Sequence, residues 1–71
     1  MWSVRDKQNG RVLSSGKNSK DKDIALEAAW DYWVSIDGQE LSDKELKNLY
    51  EKKEEWLQSI GLVPFEHDEP I

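Results

Sequence analysis

Apolar and polar residues alternate at the start of the chain, in a pattern that is typical of short β-strands. Two such runs, "WSVRD" and "RVLSS", are separated by a short polar segment that contains Asn9 and Gly10. Asn-Gly is a strong local signal for a tight turn, because both residues tolerate a positive φ. The pattern therefore predicts a β-hairpin over residues 1–17.

The register of this hairpin depends on the length of its loop. A two-residue turn at Asn9 and Gly10 pairs Asp6 with Leu13, and Leu13 then shares a face with the apolar residues of the first strand. A three-residue loop with a bulge at Gly10 would bring Val12 to that face instead. We favour the first register.

The next segment, "DIALEAAWDYW", repeats its apolar residues at steps of three and four, which is the period of an amphipathic helix. The stripe comprises Leu26, Ala29, Trp30 and Trp33. A capping residue precedes it, either Ser19 or Asp21. The pattern predicts a first helix over residues 21–37, ended at Gly38.

A second helix is announced by the segment "LSDKEL". Ser42 and Glu45 have the spacing of a capping box, in which each side chain binds the backbone N–H of the other residue. An apolar stripe continues from Leu46 to Ile60, with Lys53 at its edge. Gly61 is suited to end the helix. We therefore predict a helix over residues 42–60.

Residues 61–71 form a short extended tail that begins apolar and ends acidic. Val63 and Phe65 are expected to fold back onto the core or to add a short strand, and the last residues are expected to fray. The predicted fold class is α+β: an N-terminal β-hairpin followed by two antiparallel helices (ββαα), in one small domain.

Composition limits the size of the core. The chain has 71 residues, no Cys and only 37% apolar residues, but it has four Trp. A single domain of this size buries little surface, so the large Trp side chains are expected to be core residues first. There is no apolar run of membrane-spanning length and no secretory signal, which predicts a cytoplasmic protein.

Charge is divided unevenly along the chain. Residues 1–22 contain six cations and two acids, for a net charge of +4, whereas residues 23–71 contain four cations and thirteen acids, for a net charge of −9. Such an asymmetry bears on the choice of partners more than on the fold.

Catalytic chemistry is nearly absent from the sequence. There is no Cys nucleophile and no glycine-rich phosphate loop, and the one His, His67, lies in the tail. The run from Glu66 to Glu69 is interpreted as a solvated acidic tail and not as a metal site. We predict a protein that is not an enzyme and that needs no cofactor or metal.

Acidic side chains form a row on the first helix. Asp23, Glu27 and Asp31 follow one another at steps of four residues, and none has a cation four residues further on. A solubilising face is one interpretation. The other is a negative strip that docks a basic surface of another protein, with carboxylates spaced somewhat like the phosphates of a nucleic acid. The candidate partner-binding residues are Asp23, Glu27, Asp31, Tyr32, Glu51, Glu54, Glu55 and Trp2.

In size, acidity and lack of motifs the chain resembles the small accessory proteins that phages and prophages encode to inhibit host factors. The first hypothesis is therefore a non-enzymatic protein-binding module that occludes a basic, nucleic-acid-binding surface. The second is a small nucleic-acid-associated protein that uses its basic hairpin, although the acidic body should repel a polyanion, so direct nucleic-acid binding is not expected. The third is a homodimer built on surplus aromatic side chains. No membrane partner is expected.

Overall fold

The computed structural model describes residues 1–71 as a small mixed α+β domain. The elements, in chain order, are strand β1 (Trp2–Asp6), helix α1 (Lys22–Ile36), a 3-10 turn (Gly38–Glu40), helix α2 (Asp43–Tyr50), helix α3 (Lys53–Ser59) and strand β2 (Leu62–Glu66). None of these helices has the length and apolar character that crossing a membrane requires.

The sheet joins the two ends of the chain. β1 pairs antiparallel with β2, and Val4 stands opposite Pro64 at the centre of the ladder. The element order therefore differs from the predicted ββαα, because the main partner of β1 is the C-terminal segment. Residues 62–66 are mostly apolar, whereas the polar run at residues 14–18 gives a continuous second strand little to bury. Of the two alternatives expected for the tail, folding back onto the core or adding a short strand, the structure shows the short strand.

Pro64 lies where its missing N–H leaves the ladder intact. Backbone bonds from Lys7 to Gly61 and from His67 to Met1 flank the sheet. Hydrogen-bonded and non-bonded pairs alternate in an antiparallel ladder. Since Lys7–Gly61 is a bonded pair, Val4–Pro64, three pairs further on, is a non-bonded pair, and the N atom of Pro64 faces the outer edge of β2. A proline there discourages the addition of another strand.

The predicted N-terminal hairpin is present in part, with a different register. Arg5 stands opposite Val12, and the N–H of Leu13 donates to the carbonyl of Val4 at 2.8 Å. The loop thus has four residues, and both predicted registers are wrong. The carboxylate of Asp6 accepts a hydrogen bond from the N–H of Gln8 within this longer loop. Relative to the preferred register the pairing shifts by two residues, which keeps Leu13 on the buried face.

The core lies between α1, α3 and the sheet. All four residues of the predicted α1 stripe are buried. Four aromatic rings form a continuous row, with centroids 5.4 Å apart from Tyr50 to Trp30, 5.3 Å from Trp30 to Trp33 and 5.4 Å from Trp33 to Trp56. Tilted and edge-to-face contacts of this kind add to the burial energy of the rings.

The helix predicted over residues 42–60 is two helices. Its start is confirmed, since Ser42 and Glu45 form the predicted capping box. The helix breaks at Glu51 and Lys52, between α2 and α3. Residues 51–55 are all charged, so no buried side chain supports a continuous helix there.

The ends of α1 lie within one residue of the predicted 21–37. Asp21 is the cap, and its carboxylate accepts from the N–H of Ile24 at 2.9 Å. Gly38 opens the 3-10 turn and is not the cap at the other end, which is Asp37. At the C-terminus, where fraying was expected, Asn18 and Ile71 form reciprocal hydrogen bonds between the side-chain amide and the backbone.

Candidate protein-binding site

Two members of the acid row are bound by a cation of the chain itself. The Nζ of Lys53 lies 3.2 Å from the carboxylate of Asp23 and 3.2 Å from that of Glu27. The hydroxyl of Tyr50 donates a hydrogen bond to the same Glu27 carboxylate. The Lys53 ammonium also lies 4.8 Å from the centre of the Tyr50 ring. This cluster ties α1 to the break between α2 and α3.

The cluster shifts the ionisation of two of its members. Burial lowers the pKa of Lys53, but the hydrogen bonds and negative charges of Glu27 and Asp23 outweigh it and raise the pKa above its ordinary value. The pKa of Tyr50 is also raised, first by its hydrogen bond to Glu27 and then by burial. Both groups therefore hold their protons more tightly in the folded chain than in the unfolded chain.

These shifts predict a loss of stability at high pH. The stabilisation is complete below the ordinary pKa values of Tyr and Lys, about 10 and 10.4, and it is lost as the pH rises through the raised values. We expect the urea midpoint of the parent to fall more steeply between about pH 9.5 and 11 than that of the double variant Lys53→Met/Tyr50→Phe. Equal slopes for the two proteins would show that the cluster does not contribute.

The break between α2 and α3 opens a groove against α1, which we call the acidic groove. Its cavity volume is about 460 Å³. Four of the predicted partner-binding residues line it together. The lining residues are Asp23, Leu26, Tyr50, Glu51, Lys52, Lys53, Glu54, Glu55 and Gln58.

Cations of the chain neutralise part of this groove. Glu54 pairs with Lys22 at 2.6 Å, a contact between two exposed side chains. Glu51 and Glu55 are exposed and form no salt bridge. The lining thus contains four carboxylates and two lysines, Lys52 and Lys53, so its charge balance stays negative. Glu51 and Glu55 are the lining carboxylates without a salt bridge and are free to meet a cation from another molecule.

The other predicted residues lie outside the acidic groove. Asp31 is exposed, forms no salt bridge and does not line the groove. Tyr32 is 37% exposed and lies on the opposite flank of α1. Trp2 is partly buried against the core, with the ammonium of Lys22 5.7 Å from its ring centre. The structure thus does not bring all eight predicted residues into one surface.

Ser3 and His67, which are distant in sequence, form a hydrogen bond between their side chains. His67 Nε2 lies 2.7 Å from the hydroxyl of Ser3, and its Nδ1 lies 2.7 Å from the carbonyl of Glu69. Because a carbonyl can only accept, the neutral ring carries its proton on Nδ1 and accepts from Ser3 at Nε2. This resembles a nucleophile and its base. Ser3 is 0% exposed, however, so no substrate reaches its hydroxyl, and the pair fastens the tail to β1.

Comparison of the chain with protein-family models, with curated proteins and with solved structures finds no match. Nowhere in the fold do three or more His, Asp or Glu side chains converge in a way that suits a metal ion. The functional interpretation therefore depends on the surface itself.

Proposed function

We propose that this protein is a non-enzymatic binding module that docks a basic surface of another protein in its acidic groove. The observation that carries the proposal is the recess at the break between α2 and α3, which Glu51, Glu54 and Glu55 line together with residues of α1. An acidic face that only improves solubility does not have to be concave. A recess in which carboxylates outnumber lysines is complementary to a protruding cation of a partner.

Lys53 supports this proposal by showing how the protein holds an ammonium group. Its Nζ lies between two carboxylates of the acid row and over an aromatic ring. A lysine or arginine of a partner would meet the free carboxylates of Glu51 and Glu55 beside this occupied position. The negative charge of residues 23–71 would accelerate the encounter with a basic partner.

A module of this kind acts by occlusion. If the basic surface of the partner normally binds nucleic acid, the acidic groove competes with the phosphates for the same cations. This mode of action is similar to that of the phage-encoded inhibitors that the sequence resembles in type. The alternative of self-association through surplus aromatics has less support, because Trp30, Trp33 and Trp56 pack in or against the core.

The double variant Glu51→Gln/Glu55→Gln tests the proposal. A partner is first captured from native lysate at low salt and identified, and its association rate with the purified variants is then measured. We expect several-fold slower association than for the parent at low salt and little difference at high salt, because exposed interface charges act on the encounter. The fold should be unchanged, since neither carboxylate has an intramolecular partner.

The matched control is Glu40→Gln/Glu66→Gln, which removes the same charge at two exposed positions that do not line the acidic groove. Its association rate should stay within twofold of the parent. Equal slowing by both double variants would mean that only net charge matters, and equal rates for the parent and Glu51→Gln/Glu55→Gln would contradict the proposal.

A further inference from the structure

A second recess lies on the opposite flank of α1, between its C-terminal end and the loop that follows β1. We call it the apolar groove. Its cavity volume is about 250 Å³, and five of its eight lining residues are hydrophobic. Trp33 and Leu62 are buried at its base. Tyr32 and Ile36, two of its hydrophobic lining residues, have exposed fractions of 37% and 56%.

The rim of the apolar groove carries charge of one sign. Asp6 and Asp37 line it, and no cation does. A cation, Arg11, lines the adjoining recess that shares Asp6 and Tyr32, so Asp37 is the carboxylate of the rim that lies apart from that recess. Asp37 forms no salt bridge, and the hydroxyl of Tyr32 has no hydrogen-bond partner in the chain. An apolar floor with two carboxylates and a free phenol at its edge is complementary to an apolar side chain that has a cation beside it.

We propose that the apolar groove binds a segment of a partner protein in which an aliphatic or aromatic side chain is flanked by Arg or Lys. The apolar side chain lies over Trp33 and Leu62, and the flanking cation pairs with Asp37 or Asp6. The Tyr32 hydroxyl is free to bind the backbone of the segment. Tyr and Trp, which this groove supplies as Tyr32 and Trp33, are enriched among the interface residues that dominate binding energy.

A second copy of this chain is a poor occupant of the same groove. A two-fold contact would set each apolar groove against itself and bring Asp6 and Asp37 of one copy against those of the other. Both copies also carry a net charge of −5. Like charges facing each other in an interface are costly, which favours a cationic partner.

This inference goes beyond the proposed function and does not require the acidic groove. The two recesses share no lining residue, and α1 separates them. Tests of the two surfaces can therefore fail independently.

The experiment is a titration of ¹⁵N-labelled protein with the peptide acetyl-Ala-Arg-Leu-Arg-Ala-amide, followed by amide chemical shifts. We expect saturable shifts at Tyr32, Ile36 and Ile60. Ile36→Asn should weaken the peptide affinity about tenfold, as loss of an interface anchor does. The matched control is Ile24→Asn, which changes an isoleucine on the same helix that is 49% exposed but lies outside the groove, and it should bind like the parent.

Several outcomes would overturn the inference. These are the absence of saturable shifts up to millimolar peptide, equal binding of a peptide with Glu in place of Arg, and equal weakening by Ile24→Asn and Ile36→Asn. If the amide shifts of the same residues change when the protein is diluted without peptide, the groove is occupied by a second copy of the chain. Shifts centred on Glu51 and Glu55, abolished by Glu51→Gln/Glu55→Gln, would move the peptide to the acidic groove and leave the proposed function standing.

Discussion

Leu57→Ala is expected to leave the chain largely unfolded at room temperature. Leu57 is 0% exposed at the centre of the core, on a helix of only seven residues. A buried Leu→Ala change costs about 2–5 kcal/mol, because burial energy is lost and a cavity remains. A domain of this size seldom has more than about 3–5 kcal/mol in total. Urea unfolding followed by Trp fluorescence and circular dichroism measures the effect.

The matched control is Ile24→Ala. Ile24 is 49% exposed, so the same kind of truncation should change the free energy of unfolding by no more than about 0.5 kcal/mol. If Leu57→Ala instead unfolds at nearly the parent urea concentration, α3 does not hold the core together as the structure has it. Four Trp side chains, three of them in one aromatic row, give the fluorescence signal a direct relation to the core.

The starts of α1 and α2 and the burial of the α1 stripe could be predicted because their signals are local. The α1 stripe repeats within eight residues and is buried as predicted. The capping box at Ser42 and the positive φ of Gly61, which is +93°, also follow from residues close in sequence. Such features depend on backbone geometry that neighbouring residues set by themselves.

The pairing of the strands could not be predicted in the same way. β2 is the main partner of β1 although about sixty residues separate them, and no local pattern in "LVPFE" identifies its partner. The Asn9–Gly10 pair predicted a two-residue turn. The side-chain oxygens of Asp6 and Asn9 instead accept hydrogen bonds from the backbone N–H groups of Gln8 and Arg11 and stabilise a longer loop. The pairing of β1 with β2 and the side-chain hydrogen bonds within the loop after β1 together stabilise this structure more than a two-residue turn at Asn9 and Gly10 would.

Four of the eight residues predicted from the sequence line the acidic groove, but the contacts that the predicted residues make within the chain were not predicted. The sequence shows no cation four residues after Asp23 or Glu27, and the cation that binds both is Lys53 on another helix. A lysine at the edge of an apolar stripe, facing a row of acids, is a signal that could have suggested this pairing. The run of five charged residues at 51–55 is a local signal that could have suggested the break in the helix. That the break lies against α1 and forms a recess depends on packing between distant residues, which no local pattern predicts.

Gly16→Ala is the second large effect that we expect. Gly16 has a φ of +70°, and a Cβ built on it would lie 2.6 Å from the Cβ of Ala28 on α1. The positive φ costs an alanine about 1 kcal/mol, and the overlap with a packed helix adds about 1–3 kcal/mol. The loop also positions Ser19, whose backbone pairs with that of Trp2. Thermal and urea unfolding should both show a loss of about 2–4 kcal/mol.

Two companion variants separate the causes. Gly10 has nearly the same φ, +73°, and no atom lies within 4 Å of a Cβ built on it. Gly10→Ala should therefore lower the free energy of unfolding only by the cost of a positive φ, about 1 kcal/mol. Ala28→Gly alone should destabilise by about 1 kcal/mol, because glycine is a poor helix residue. In the Gly16→Ala background, Ala28→Gly removes the overlapping methyl group. There the change should destabilise the fold by less than it does alone, or even stabilise it. Additive effects of the two changes would contradict a direct contact between the loop and α1, because independent sites add and touching ones do not.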